Sequence, residues 1–172
     1  MTNFSLIPGV ISVLAAVTGM AVTAQAAISP ESNRLLNGAD KKLVATNSLE
    51  QSVHNQINQY RQQQNFPPLV FDETIADQAR LHSAAMANVG GISHDGFNGR
   101  AAALGKSIEY SGLAENVASN HGFADPGLIA IKSWISSPTH HKTMVGKFDL
   151  TGVGVVEKGG SYYFTQIFVR KR

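Results

Sequence analysis

The chain has 172 residues, of which 43% are hydrophobic and 15% are charged, and its formal net charge is +2. This composition is typical of one folded globular domain and excludes an intrinsically disordered chain. The only basic run is the "RKR" that ends at Arg172, and phosphate binding needs a clustered basic face, so the sequence predicts no nucleic-acid partner. The absence of cysteine excludes disulfide bonds and thiolate sites.

Residues 1–27 form a predicted signal peptide. They contain no charged residue, and an apolar stretch from Ile11 to Val22 is followed by small residues. Ala24 and Ala26 have the Ala-x-Ala spacing of a signal peptidase site, which predicts cleavage just after them. The alternative is an uncleaved membrane anchor, because residues 4–27 are long enough to span a bilayer. With cleavage, the mature protein is secreted or periplasmic and has no permanent membrane span.

Residues 28–46 show little periodicity and predict a linker or N-terminal arm, so the domain is predicted to cover residues 47–172. The first helix of this domain is predicted from apolar residues that share one helical face, namely Leu49, Val53, Ile57 and Tyr60. The segment "NFPP" ends this helix, because proline cannot continue it.

A second helix is predicted after Asp72, whose side chain can accept backbone N–H groups as an N-cap. Its buried side is predicted to consist of Ile75, Ala79, His82 or Leu81, Met86 and Val89. The glycines of "VGG" end it. Two shorter helices are predicted over residues 100–105 and 128–135.

The C-terminal part changes from the helical period to the alternation of strands. In "TGVGVVEKGGSYYFTQIFVR", two β-rich runs flank "EKGG", which predicts an antiparallel hairpin. Aromatic residues on both sides of the second strand predict a sheet that is covered on both faces. With a further short strand at residues 113–119, the predicted class is α+β, with helices packed on an antiparallel sheet.

Three separated segments carry the candidate functional residues. They are "ISHDGF" with His94, "LAENVAS" with Glu115, and "SSPTHHKTM" with His140 and His141. Two neutral imidazoles and a carboxylate can hold a zinc-like divalent ion, or can pass a proton between a base and a substrate. The spacing alone leaves two alternatives open, which are a shared site and a set of scattered surface histidines.

Five segments in this order carry a family resemblance: "HNQINQYRQQQNFPPLVFDETIADQARLHSAAMA", "ISHDGF", "AENVA", "WISSPTHHKTM" and "TGVGVV…YYFTQIFV". Together they resemble the CAP superfamily, which contains cysteine-rich secretory, venom-antigen and plant pathogenesis-related proteins, and within it the cysteine-free bacterial branch. The resemblance covers residues 49–170. It implies an α-β-α sandwich with a central cleft.

In the animal and plant members, this cleft is lined by two histidines and two glutamates that can bind a divalent ion. Carried over by position, His94 matches the first histidine, Glu115 the glutamate of the Gly-Glu-Asn element, and His140 the second histidine. The second glutamate falls on Ser137, whose hydroxyl cannot replace a carboxylate as a ligand or base. The resemblance thus implies a cleft of these four residues, with His94 and His140 as ligands of an ion such as zinc and Glu115 as the candidate catalytic residue.

These implications leave three functions open. The favoured one is a secreted, non-enzymatic module whose cleft binds a small-molecule or lipid ligand or a divalent ion, and whose surface meets a protein partner. The alternative is a metal-dependent, peptidase-like hydrolase, in which His94 and His140 hold the ion and Glu115 is the general base. The third is an envelope-associated structural role, with residues 28–46 as a tether and a vestigial site.

Other polar and aromatic residues are predicted to be structural. Trp134 is expected to anchor a helix in the core, and His141 is expected to point away from the cleft if its segment is helical. His82 is expected to be hydrogen-bonded and partly buried. Asn116 is expected to fix a loop through a backbone bond, and Gln166 is expected to tie the sheet to a helix.

Overall fold

A computed structural model of the protein describes residues 37–172, and the predicted signal peptide lies outside them. The described part contains five helices and four strands in the order α1 (Gly38–Gln63), β1 (Val70–Phe71), α2 (Glu73–Val89), α3 (Phe97–Leu104), β2 (Tyr110–His121), α4 (Pro126–Ser136), α5 (Pro138–Met144), β3 (Leu150–Lys158) and β4 (Ser161–Lys171). The α+β class predicted from the sequence is confirmed.

The four strands form one sheet in the order β1-β3-β4-β2. β2 and β3 both pair with β4 in antiparallel fashion, whereas the two-residue β1 pairs with β3 in parallel. The predicted hairpin between β3 and β4 is confirmed, and its turn consists of Gly159 and Gly160. Both glycines have positive φ angles, 61° and 80°, as a two-residue hairpin turn of this kind requires. Among the strands of residues 37–172, this topology makes β2 an edge strand.

Helices cover both faces of the sheet, as the alternating aromatic residues predicted. On one face, Phe164 and Phe168 pack in a cluster with Val53 and Ile57 of α1 and Trp134 of α4. On the other face, β4 packs against α2, with Ile75, Ala79, Ile167 and Val169 together in a second cluster. The architecture is therefore an α-β-α sandwich.

Helix α1 begins earlier than the sequence predicted. Asn37 caps it by accepting the N–H groups of Ala39 and Asp40, so residues 38–46 are helical rather than part of an irregular linker. None of these residues is buried. Because this part of the helix has no core to face, it lacks the apolar period from which helices are predicted. The domain boundary at Asn47 stays a prediction.

Helix α2 follows the prediction at its start and departs from it at its end. Asp72 accepts the Ile75 N–H as the predicted N-cap, and Gly90 ends the helix in the left-handed conformation. The burial predicted for Val89 is wrong, since this residue is 86% exposed. It is the last residue of α2, directly before the left-handed Gly90.

The remaining elements differ from the prediction mainly in their boundaries. The helix predicted from Arg100 runs over Phe97–Leu104, and the strand predicted at residues 113–119 runs over Tyr110–His121. Trp134 is buried in the core and donates its indole N–H to the Val117 carbonyl (2.9 Å), which confirms its anchoring role. Gln166 is a correction: its amide bonds the Thr151 hydroxyl, so it ties β4 to β3 and not to a helix.

Within residues 37–172, no helix combines the length and the apolar character that are needed to cross a bilayer.

Candidate functional site

Glu115 lies in the edge strand β2, with a side chain that is only 1% exposed. Arg100 of α3 binds this carboxylate with two nitrogens, because its Nε donates to Oε2 (2.8 Å) and its Nη2 donates to Oε1 (2.7 Å). Such a two-point contact between guanidinium and carboxylate is strong and fixes both groups in one geometry. Glu115 is therefore a paired, buried charge.

His94 lies between α2 and α3 and contacts the same carboxylate. Its Nδ1 lies 2.9 Å from Oε1 of Glu115, and its side chain is 52% exposed. An ionised carboxylate only accepts hydrogen bonds, so Nδ1 carries the hydrogen and donates it. The other ring nitrogen, Nε2, is left for a ligand.

Two bonds hold the main chain on either side of His94. His82 Nε2 donates to the Ser93 carbonyl (2.7 Å), and Arg100 Nη1 donates to the Asp95 carbonyl (2.8 Å). The same Nη1 also donates to Nδ1 of His82 (3.0 Å). His82 is thus the hydrogen-bonded, buried histidine that the sequence predicted, and it joins Arg100 in positioning the segment that carries His94.

His140 approaches from α5, on the other side of the sheet. Asn116 of β2 donates its amide to the His140 carbonyl (3.1 Å), so the predicted backbone bond of Asn116 is confirmed, although it starts from a strand and not from a loop. Burial lowers the pKa of His140, and the nearby His94 lowers it further. His140 is therefore held as a neutral imidazole near neutral pH.

His141 follows His140 on a helix and points elsewhere, as predicted. Its Nε2 lies 2.9 Å from the Tyr60 hydroxyl on α1. Ser137 directly precedes α5 at its N-cap position, is half-buried, and makes no capping bond with its side chain. We call the candidate site at His94, Glu115 and His140, which stays a prediction, the histidine cleft.

A comparison with protein families places this fold. The model of the cysteine-rich secretory protein family, CAP, matches residues 54–168 of the chain. The chain belongs to the CAP family. The uncharacterized protein YkwD of Bacillus subtilis is 30% identical over 131 residues, which are 74% of this chain and 49% of that relative. The chain thus spans about half the length of the curated relative that it matches.

Solved structures agree with this assignment. An extracellular protein containing a SCP domain from Bacillus anthracis is 31% identical to the chain, with a TM-score of 0.67 over 79% of this chain and 44% of that one. An outer surface protein from Borrelia burgdorferi has a TM-score of 0.64 over 74% of this chain and 96% of its own, with 17% identity, which shows a shared fold alone. The sequence resemblance to bacterial CAP proteins is confirmed.

The donor set of this CAP domain does not fit a resident zinc ion. Zinc sites of the catalytic kind use three protein ligands, whereas the cleft offers only the imidazoles of His94 and His140. The oxygens of Glu115 are bonded to Arg100 and His94, and Ser137 has no carboxylate. Within residues 37–172, no group of three or more His, Asp and Glu side chains is arranged to hold a metal ion.

Sequence reasoning missed Arg100 as a residue of the site. It stands six residues after His94, inside the segment that was predicted as a short helix. The signal that points to it is physical, since a carboxylate in an edge strand next to a core needs a cation if it is buried. The chain offers several arginines, and only the packing of α3 against β2 selects this one.

A separate cavity of about 180 Å³ lies between the end of α1 and the loop after α5. Its lining includes Arg61, Phe66, Lys147 and Arg170, and none of the four predicted cleft residues. Arg61 is fully buried and donates to the carbonyls of Met144 and Gly146. These bonds give Arg61 a structural role in holding the loop that follows α5.

Proposed function

We propose that the chain is an extracellular, non-enzymatic binding module, and that its ligand or partner occupies the histidine cleft. An extracellular address is supported by the predicted signal peptide and by the similarity to an extracellular SCP-domain protein. In this proposal, residues 1–27 are removed on export and the mature chain is secreted or periplasmic. The ligand class left open by the sequence is a small molecule, a lipid or a protein segment.

The engagement of Glu115 carries the non-enzymatic part of the proposal. A general base must reach the proton that it removes, within hydrogen-bond distance of a bound water. The carboxylate of Glu115 is buried, and its oxygens are bonded to Arg100 and His94. Glu115 is therefore suited to orienting His94, and the cleft offers a ligand two positioned imidazoles.

The hydrolase remains the second candidate because of one contact. The bond between His94 Nδ1 and Glu115 leaves Nε2 as the basic nitrogen, and histidines oriented by a carboxylate serve as general bases in hydrolases. In this version His94 takes the role of base that was first assigned to Glu115. A metal-dependent version needs a third protein ligand besides His94 and His140.

A fragment screen by ¹⁵N NMR on the full chain tests the proposal. The probe is a defined collection of small amides, carboxylates, sugars and short-chain lipids. The proposal expects shifts that cluster at His94, Glu115 and His140 and that are lost in His94→Ala and His140→Ala. The matched control is His121→Ala, an exposed histidine at the far end of β2, which leaves the shifts unchanged. Binders that map outside the cleft overturn the proposal.

A parallel assay separates the two candidates. The same proteins are incubated with p-nitrophenyl acetate and with casein. The binding module gives the same background rate in the parent and in His94→Ala. Turnover that depends on His94 and on Glu115 decides for the hydrolase. Calorimetry with zinc is expected to give no tight one-to-one binding, because only two imidazoles are offered.

A further inference from the structure

The open edge of β2 exposes part of its backbone beside the histidine cleft. β2 pairs only with β4 among the described strands, so its other edge has no strand partner in residues 37–172. The bond from Trp134 Nε1 to the Val117 carbonyl shows that this carbonyl points away from β4. In an antiparallel strand, the direction of the backbone groups alternates from residue to residue. Leu113 and Glu115 therefore also direct their N–H and C=O groups to the open edge.

Contacts at β3, which lies on the other side of β4 from β2, give the same orientation for the backbone groups of β2. The Val155 N–H donates to Oε1 of Glu50 (2.9 Å), so the backbone groups of Val155 point away from β4. The backbone groups of its neighbour Gly154 therefore point toward β4, where Gly154 is paired with Thr165. The backbone groups of Thr165 then point toward β3 and away from Val117, which is its partner in β2. Two independent side-chain contacts thus agree on which groups of β2 point outward.

The outward groups of Leu113 and Glu115 are unpaired and partly accessible. Among the hydrogen bonds of residues 37–172, none uses them. Glu115 as a whole residue is 8% exposed, although its side chain is only 1% exposed. Solvent therefore reaches Glu115 mainly through its main chain. Unpaired backbone groups on an accessible edge are a template for another chain.

This part of the edge also lacks the usual protection against pairing. Edge strands are commonly protected from pairing with another chain by proline, lysine, a bulge or a covering element. β2 contains neither proline nor lysine, and its irregularity lies between Tyr110 and Gly112, before Leu113. Beyond Glu115, Trp134 covers the Val117 carbonyl. The open stretch is therefore short, and it coincides with the histidine cleft.

We propose that the histidine cleft binds an extended polypeptide segment, which pairs as an added strand with Leu113 and Glu115. An extended chain repeats its N–H and C=O groups about every 7 Å, which matches two residues of β2 and which lipids and sugars do not match. Its side chains alternate between the two faces of the sheet. Successive residues thus meet His94 on one face and His140 on the other. The inference rests on the proposed function, of which it names the ligand class.

A displayed library of random dodecapeptides, selected on the full chain, supplies the probe. The best binder is synthesised and measured by calorimetry against the parent and two proline variants. Leu113→Pro removes an outward N–H without touching the ladder to β4 and is expected to weaken binding about tenfold or more. Ser119→Pro is the matched control, because it removes an outward N–H of the same edge on the far side of Val117, and it changes affinity less than about twofold.

A second measurement needs no protein variant. The binder is N-methylated at each residue in turn, which blocks one backbone N–H at a time. Among the few residues that pair with Leu113 and Glu115, an added strand loses affinity at every second position, because only alternate N–H groups face β2. Uniform tolerance of methylation, or equal affinity of folded Leu113→Pro and the parent, overturns the inference. A library that yields no binder also overturns it, and so does a dimer that Leu113→Pro converts to a monomer.

The histidine variants keep this inference distinct from the proposed function. If peptide binding is lost in His94→Ala and His140→Ala but shows no alternation, the cleft binds ligands and the added-strand geometry is wrong. If the alternation is present and both histidine variants bind normally, the pairing is right and the cleft histidines are not the binding groups.

Discussion

At the scale of single residues, Arg100 connects the groups that form one side of the cleft. It binds both oxygens of Glu115, one nitrogen of His82 and the Asp95 carbonyl. The orientation of His94 follows from these bonds, since Glu115 and the main chain at Asp95 both depend on Arg100. A short, exposed histidine segment is thereby fixed by a buried cation.

Replacing this cation is expected to be costly. Arg100→Met leaves the buried carboxylate of Glu115 without its main partner, and breaking a buried pair in this way costs about 3–5 kcal/mol. Urea denaturation of the parent and the variant measures the loss. The double variant Arg100→Met with Glu115→Gln is the control, and it recovers part of the loss because no unpaired charge remains. A loss below about 1 kcal/mol for Arg100→Met, which is typical of exposed pairs, contradicts the buried geometry.

The pKa of His140 gives a second prediction at this scale. Burial and the charge of His94 both lower it below the ordinary value of 6.5. The unfolded chain therefore binds a proton on this residue at higher pH than the folded chain. The free energy of unfolding consequently falls as the pH drops below the unfolded value, and levels off below the folded pKa.

NMR titration of the imidazole C–H signals tests this directly, and it separates His140 from His54, whose pKa burial also lowers. His94→Ala is expected to raise the pKa of His140, because the electrostatic effect of His94 that lowers it is removed, while burial still keeps it below 6.5. His121→Ala serves as the control and leaves it unchanged. A pKa of His140 above 6.5 in the parent would contradict the placement of its ring.

At the scale of elements, α2 lies directly on β3 because two residues of that strand are glycines. A Cβ at Gly154 would overlap the backbone of Arg80, and a Cβ at Gly152 would overlap the backbone of Ala76. The "TGVGV" pattern therefore encodes a close helix-to-sheet approach. This approach brings His82 of the same helix within reach of Arg100 and Ser93.

Gly154→Ala is expected to destabilise the protein by about 3 kcal/mol or more, because the obstructing atoms are backbone and cannot rotate away. Thermal and urea denaturation measure the effect. Gly99→Ala in α3 is the matched control, since a Cβ there meets nothing within 4 Å. It is expected to be neutral or to stabilise by up to about 1 kcal/mol, because alanine favours the helix. Similar stabilities of the two variants would refute the close contact.

At the scale of the whole molecule, Glu50 links three layers. It extends from α1, accepts the Val155 N–H of β3 (2.9 Å), and binds Arg80 of α2 with both of its oxygens. The residue is 2% exposed, and burial raises the pKa of its carboxyl despite the contact with Arg80. β1 pairs with β3 only at Leu150 and Thr151, and no other strand of residues 37–172 covers this edge. The carboxylate of Glu50 therefore satisfies the Val155 N–H there.

Glu50→Ala is expected to cost about 3–5 kcal/mol, because the Val155 N–H and the inner side of Arg80 lose their buried partner. Glu50→Gln keeps an acceptor for the N–H and is expected to lose less. Glu73→Gln is the control, since Glu73 binds the same Arg80 from an exposed position, and it changes the free energy of unfolding by less than about 1 kcal/mol. Equal effects of Glu50→Ala and Glu73→Gln would show that Glu50 does not join the layers.

The sequence by itself determined the class of the fold and the local elements with strong periodic signals. Three local patterns match the structure, namely the apolar stripe with Val53 and Ile57, the cap at Asp72 and the glycine turn of the hairpin. Burial of an apolar stripe and positive φ angles leave a direct mark on residue type, which is why they can be read. The family resemblance added the positions His94, Glu115, Ser137 and His140.

Only the tertiary structure decided what these positions do together. The pairing of Glu115 with Arg100, the neutral state of His140 and the open edge at Leu113 depend on contacts between elements that are distant along the chain. Residues 38–46 show the same limit for a helix, since no packed face marks them in the sequence. Partner choice and burial arise from packing in three dimensions, whereas the sequence records only the periodicity of each segment.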